Sequence, residues 1–281
     1  MERALRISKC GLYVFPSCCF HLFPGCLLGL LGCQYLADIE RFSGGSDESS
    51  AVSCAEMLPD AGGADAVAID TAVGCFLIDR SEVTVGQYAD FLASNPRQRA
   101  GGICEWNADF APGCSESDEE LPVTCVDFCD ALSYCEWKGK SLCPALRTSS
   151  GRLEDVWESA CTSGGRFPGP YLDEWTSTTC NGYDNPKTGC ESEKSACTLV
   201  SSGTLSATCS SQEGIVHLLG NAAEWTDVCD GDVGQGDECN IRGGSFLAGG
   251  LSCGSYFRRT RNHSAPDVGF RCCERMDVAG E

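Results

Sequence analysis

With 281 residues and 42% hydrophobic content, the chain is long enough for one or two domains with a real core, which excludes disorder of the whole. Forty acidic against twenty basic residues give a net charge of −20, which argues against nucleic acid as a partner and against peripheral contact with anionic lipid, because both need positive surface. The 23 cysteines bear on compartment, and the order of the chain shows how they are used.

Residues 1–32 read as an export signal. Arg3, Arg6 and Lys9 form a positive start, and from Cys10 to Gly32 only His21 is strongly polar apart from small or turn residues. Pro16 and Pro24 interrupt a run barely long enough to span a bilayer, which argues against a transmembrane helix. The run closes Leu30-Leu31-Gly32-Cys33, which resembles a bacterial lipobox, with Cys33 as the lipidated residue. The expected location is the cell envelope, with the membrane reached through this lipid anchor; secretion without lipid is the alternative. Cys10, Cys18, Cys19 and Cys26 would leave with the signal and Cys33 would be acylated, so an even eighteen remain. In an exported chain that number points to as many as nine disulfides.

Residues 33–66 are rich in Ser, Gly, Asp and Glu and read as a flexible tether, with Cys54 stitching its end down. The domain proper is placed at 67–281. Cys75 to Asp79 is a short apolar run of strand type. A helix starts at Thr84, which stands at capping-box spacing from Gln87; Val85, Tyr88, Phe91 and Leu92 share one face, and the helix stops before Asn95-Pro96. Glu116 to Glu120 read as a solvated loop. A second helix has Asp127 as N-cap, Phe128, Ala131, Leu132 and Cys135 at helical spacing, and Gly139 past its last turn. A third is expected over Leu153–Cys161, burying Leu153, Val156, Trp157 and Ala160. Trp137 and Trp157 read as core anchors. From residue 165 to 212 irregular, cysteine-bearing loops predominate, and no internal repeat is visible. The fold class is therefore α+β, with few helices, short strands and long disulfide-stapled loops.

A zinc site fits poorly, since no C-x-x-C occurs and the only histidines are His21, His217 and His263. The same scarcity argues against a histidine-based triad. What chemistry there is concentrates in residues 241–273, where Arg242, Arg258, Arg259, Arg261 and Arg271 form a cationic island around a glycine pair. Arg242 and Arg271 bracket strand-like runs and read as buried ion pairs. Arg258 and Arg259 suit a ligand-facing surface, and His263 a loop. Cys272-Cys273 form either a vicinal disulfide or two separate bridges.

Several blocks carry a resemblance. In order they are Phe76-Leu77-Ile78-Asp79 with Glu82-Val83-Thr84; Pro122-Val123 leading to Tyr134-Cys135-Glu136-Trp137; Gly139-Lys140-Ser141-Leu142; and Trp157-Glu158. Gly220-Asn221-Ala222-Ala223-Glu224-Trp225, Arg242-Gly243-Gly244-Ser245-Phe246 and Gly269-Phe270-Arg271-Cys272 follow. Together they resemble the formylglycine-generating enzyme, or sulfatase-modifying factor, family, and this implies a variant of the C-type-lectin-like fold. Active members of that family oxidise a sulfatase cysteine to formylglycine with copper held by two cysteines.

The resemblance makes Cys253 and Ser245 the candidate catalytic residues and also matches Arg261, which with Arg258 and Arg259 of the cationic island is expected to line the cleft. Its second copper cysteine falls on Cys253, but its first falls on Ala248, which cannot ligate, so copper is not expected. Calcium is implied at Gly220, Ala222 and Glu224, with His217 standing where the family has an Asn or Asp, and at Asn181. The favoured expectation is a binding or structural module taking a protein or glycan ligand. The alternative is an active oxidase in which Cys272 or Cys239 supplies the second thiolate. A non-haem iron activity, known among relatives of the fold, needs histidines from a partner domain.

Overall fold

A computed structural model of the chain describes residues 53–57, 63–97, 102–170, 179–185 and 197–276. The export signal, Cys33 and most of the expected tether lie outside these residues. A short helix α1 (Cys54–Met57) precedes the antiparallel pair β1 (Ala66–Thr71) and β2 (Gly74–Asp79). Cys54 is bonded to Cys75, so the end of the tether is stitched to β2.

Local signals set the first two long helices. In α2 (Val85–Ala93) Thr84 accepts from the Gln87 amide and Gln87 returns a bond to the Thr84 backbone, closing the expected capping box. Tyr88 and Phe91 are buried, whereas Leu92 stands at the helix rim. In α3 (Phe128–Trp137) Asp127 and Asp130 form the same reciprocal box, and Gly139 takes the positive φ that ends it. Trp137 departs from expectation. It is 42% exposed, with its ring against Phe91 and Tyr134 at the edge of the core.

The third expected helix divides in two. After β3 (Ser141–Leu142) and β4 (Ala145–Arg147), Leu153 begins a strand, β5 (Leu153–Asp155), paired to β4, and α4 starts only at Val156 (Val156–Cys161). Asp155 decides the boundary, because its side chain accepts from the Glu158 amide as the N-cap. Leu153 therefore faces solvent instead of the core.

The remaining strands are β6 (Ala223–Cys229), β7 (Glu238–Arg242), β8 (Tyr256–Thr260), β9 (Val268–Phe270) and β10 (Cys272–Arg275). One sheet runs β1-β2-β10-β3 and the other β8-β7-β6-β9, with only the β6–β9 pair of the second sheet parallel. Tyr88, Phe91, Tyr134, Trp225 and Phe270 pack between the second sheet and helices α2 and α3. Trp157 packs with Phe76, Ile78, Ile215 and Leu218 around α4. Each such side chain contributes roughly 1.5–3 kcal/mol by leaving water.

Every described cysteine is disulfide-bonded. Adjacent residues of a strand point to opposite faces, so Cys272 and Cys273 on β10 find separate partners, Cys135 on α3 and Cys143 beyond β3. The pairs Cys104–Cys129, Cys114–Cys125, Cys180–Cys209 and Cys229–Cys239 staple loops. Such a framework fits an oxidising, extracytoplasmic environment. Among the described residues no helix is long and apolar enough to cross a membrane.

Candidate functional site

The segment after β7 turns on Gly243 and Gly244, both at positive φ. A Cβ on Gly243 would lie 2.6 Å from the Leu218 carbonyl, so the turn can be this tight only without a side chain. It delivers Ser245 to a cavity of about 290 Å³ whose walls include Leu247, Ala248, Phe257, Arg259, His263 and Asp267. The Ser245 hydroxyl donates to Asp267 Oδ2 at 2.7 Å and accepts from the Leu247 amide at 3.2 Å. No imidazole stands between serine and carboxylate. This arrangement holds the loop and presents a polar wall to the cavity.

Cys253 does not join Ser245 in the cavity. It is buried and bonded to Cys161 of α4, and so offers no thiolate. Ala248 lines the cavity without a donor atom. Cys272 and Cys239, the other sulfurs considered, are bonded to Cys135 and Cys229. The residues present therefore do not fit a two-thiolate copper site.

Of the three arginines expected to line the cleft, only Arg259 does so. Arg258 and Arg259 are neighbours on β8 and project to opposite faces. Arg258 turns away to Asp230 at 3.0 Å and Glu238 at 3.9 Å. Arg261 corrects the expectation most clearly. It is 2% exposed, lies over the Phe128 ring, and is paired with Asp237 at 2.6 Å and with the Gly234 carbonyl at 3.0 Å. His263, read as a plain loop residue, lines the cavity, and burial followed by the nearby Arg259 charge holds its pKa below the usual value. Phe257, Leu247 and Asp267 were also missed. Asp267 had one signal, its place two residues before the Gly269-Phe270-Arg271 block.

The expected calcium oxygens are divided. Glu224 is fully buried, and both carboxylate oxygens accept from Arg271, at 2.7 Å each, while Oε2 also accepts from Trp157 Nε1 at 2.7 Å. Arg271 thus occupies the place of a cation at Glu224, and the set Gly220, Ala222 and Glu224 does not fit calcium. Glu82 completes the network. Its Oε1 accepts from the Asn221 side chain at 2.9 Å, while Oε2 has no hydrogen-bond partner and lies 3.7 Å from His217 Nδ1 and 4.0 Å from Arg271. Burial pushes the Glu82 carboxyl up, against the pull of Arg271.

His217 meets the Thr204 carbonyl through Nε2 at 2.7 Å, so Nε2 carries the proton and Nδ1 accepts from Asn221. Burial holds its pKa at about 4, and the ring is neutral. Asn181 keeps one buried oxygen without a hydrogen-bond partner, while its amide donates to Thr198 and Asn221.

Fold and site together define an α+β, disulfide-stapled domain whose sequence blocks are used structurally and whose largely apolar cleft carries Ser245, Arg259, His263 and Asp267 as its polar groups. Residues 43–276 match the Sulfatase-modifying factor enzyme 1-like domain, and the chain belongs to that family. No curated protein sequence matches it. Among solved structures it is similar to that of CarF, with 20% identity, a TM-score of 0.48, and coverage of 72% of this chain and 87% of that one. It is also similar to Treponema denticola variable protein 1, with 16% identity, a TM-score of 0.49, and coverage of 74% and 86%. PvdO from Pseudomonas aeruginosa gives 19% identity, a TM-score of 0.48, and coverage of 72% and 81%.

Proposed function

We propose that this chain is an exported, lipid-anchored binding module that keeps the sulfatase-modifying-factor fold without its copper oxidase chemistry. The observation that carries this reading is the Cys161–Cys253 disulfide beside Ala248, which leaves the cleft without a thiolate. A thiolate pair is what soft Cu(I) requires. The cleft retains the means to bind: the Ser245–Asp267 pair, the imidazole of His263, the apolar surface of Phe257 and Leu247, and the guanidinium of Arg259. These suit a protein or glycan ligand bearing negative charge. Of the oxygens implied for calcium, the unpartnered Asn181 Oδ1 supports such a role, whereas Glu224 is taken by Arg271.

The test incubates purified protein with Cu(I), oxygen and a peptide carrying Cys-x-Pro-x-Arg, the sulfatase motif implied by the family. Mass spectrometry should show the peptide unchanged. Conversion of its thiol to an aldehyde would overturn the reading. Mass mapping of alkylated protein should find Cys161 and Cys253 in one linked peptide pair.

A further inference from the structure

Among the described residues, the sheet that carries the cavity ends at β8, which pairs with β7 alone. None of its five residues is buried, and none is proline or glycine. Such an edge leaves backbone N–H and C=O groups open to another strand, apart from the Thr260 carbonyl, which accepts from the His263 amide at 2.8 Å. Asn240, opposite Arg258, directs its carbonyl to the Thr226 hydroxyl of β6 at 3.3 Å, so the Arg258 backbone faces outward. There its carbonyl accepts from the Arg259 guanidinium at 2.8 Å.

Charge is distributed unequally across the two faces of this strand. Arg258 is neutralised by Asp230 and Glu238. Arg259 has no carboxylate within ion-pair distance among the described residues, and its guanidinium lies 5.9 Å from the centre of the Phe257 ring. An uncompensated arginine is notable in a chain of net charge −20. Beside it Phe257 is 48% exposed and Leu247 40%. Arginine and large aromatic residues are those that protein interfaces concentrate. Strand alternation puts Phe257 and Arg259 on the cavity side and Tyr256 on the other, facing a second cavity of about 360 Å³ that contains Asp155 and Glu158.

We propose that β8 accepts an added strand from a partner protein, an extended segment with an acidic residue over Arg259 and an apolar residue two positions away over Phe257 and Leu247. This rests on the binding-module reading and names its ligand class. Backbone hydrogen bonds along β8 supply affinity without regard to sequence, and the alternate side chains supply specificity. The acidic residue is needed on one face only, because Arg258 is already paired. On docking, the Arg259 guanidinium turns from the Arg258 carbonyl to the incoming carboxylate and frees that carbonyl for an N–H of the added strand.

The probe is a displayed library of random seven-residue peptides selected against the intact protein. Enriched sequences should share an acidic residue two positions from an apolar one, and a synthetic peptide of that pattern should bind at least tenfold more weakly to Arg259→Glu. Lysine in place of its acidic residue should restore binding to that variant. N-methylation at alternate residues along the edge facing β8 should abolish binding, while methylation along the opposite edge leaves it intact. Enrichment without an acidic residue, or indifference to methylation on both edges, overturns strand addition. Loss with Arg259→Glu but indifference to methylation overturns strand addition and leaves the binding module standing. An empty selection, or retention of sulfated glycan in place of peptide, also overturns it, and the oxidase assay then decides the module reading independently.

Discussion

At Arg271 the guanidinium is fully buried between the two oxygens of Glu224 and the backbone carbonyls of Asp79 and Val216. At Arg259, twelve residues earlier, the same group lies at the surface against an aromatic ring and a carbonyl, with no carboxylate at ion-pair distance among the described residues. Both belong to one cationic stretch, yet the first completes a core and the second remains available. A buried guanidinium is tolerable only when charge and hydrogen bonds are both met, whereas an exposed one is met by water until a ligand replaces it. The chemistry of a site in this molecule is therefore read from which charges lack a partner, and not from which residue types are present.

The sharpest way to break the comparison is Arg271→Met. It leaves Glu224 and Glu82 buried without their cation and should cost about 3–5 kcal/mol. That corresponds to a fall of roughly 10 °C or more in Tm by calorimetry. Adding Glu224→Gln should recover part of the loss. A single variant melting like the parent would mean that the network is incidental.

Next is the Cys161→Ala/Cys253→Ala pair, which opens a link spanning 92 residues. The expected loss is about 2–4 kcal/mol, seen as a lower denaturant midpoint under non-reducing conditions. Peptide binding at β8 should survive, since the bridge belongs to the buried region. Loss of binding at temperatures where the variant remains folded would show that the two regions are coupled.

A smaller effect comes from buried acids that lack an arginine. Burial, with Asp127 next to it, pushes Asp130 up to about 7, and burial pushes Asp127 up to about 6. Raised carboxyl values mean that the folded chain holds these protons more tightly than the unfolded one. Their stabilisation is complete below about pH 4 and is lost as pH rises through 6 and 7. His217 acts in the opposite sense, because its folded value near 4 lies below its ordinary 6.5, so stability falls as pH drops across that window. Two carboxyls outweigh one imidazole. Between about pH 5 and 7.5 the Tm should decline by a few degrees, about 2–4 °C for each kcal/mol. Asp130→Asn should flatten that decline, and an unchanged slope would place the titrating groups elsewhere.

The smallest stability effect belongs to Arg259→Ala, within about 0.5 kcal/mol of the parent because no buried group depends on it. Thermal melting should not move while binding of the acidic peptide falls. A destabilised variant would make Arg259 a structural residue like Arg271.

Much of this was legible in the sequence, and the reason is distance along the chain. The capping boxes at Thr84 and Asp127 rest on residues three apart, so local spacing was enough to place them. The blocks that carry the family resemblance marked the fold, and Ala248 marked the unmatched copper position. Contacts between remote segments were not legible. The acid paired with buried Arg261 is Asp237, 24 positions away, and nothing local distinguishes that arginine from Arg259. The start of α4 was misplaced because the β4–β5 pairing outweighs the helical periodicity that begins at Leu153. An even number of cysteines predicted bridges without naming them, and Cys253 could have met any of many sulfurs. Sequence determined which helices could form, because capping is local. Only the tertiary structure decided which charges and sulfurs are satisfied, because that depends on groups brought together across the whole chain.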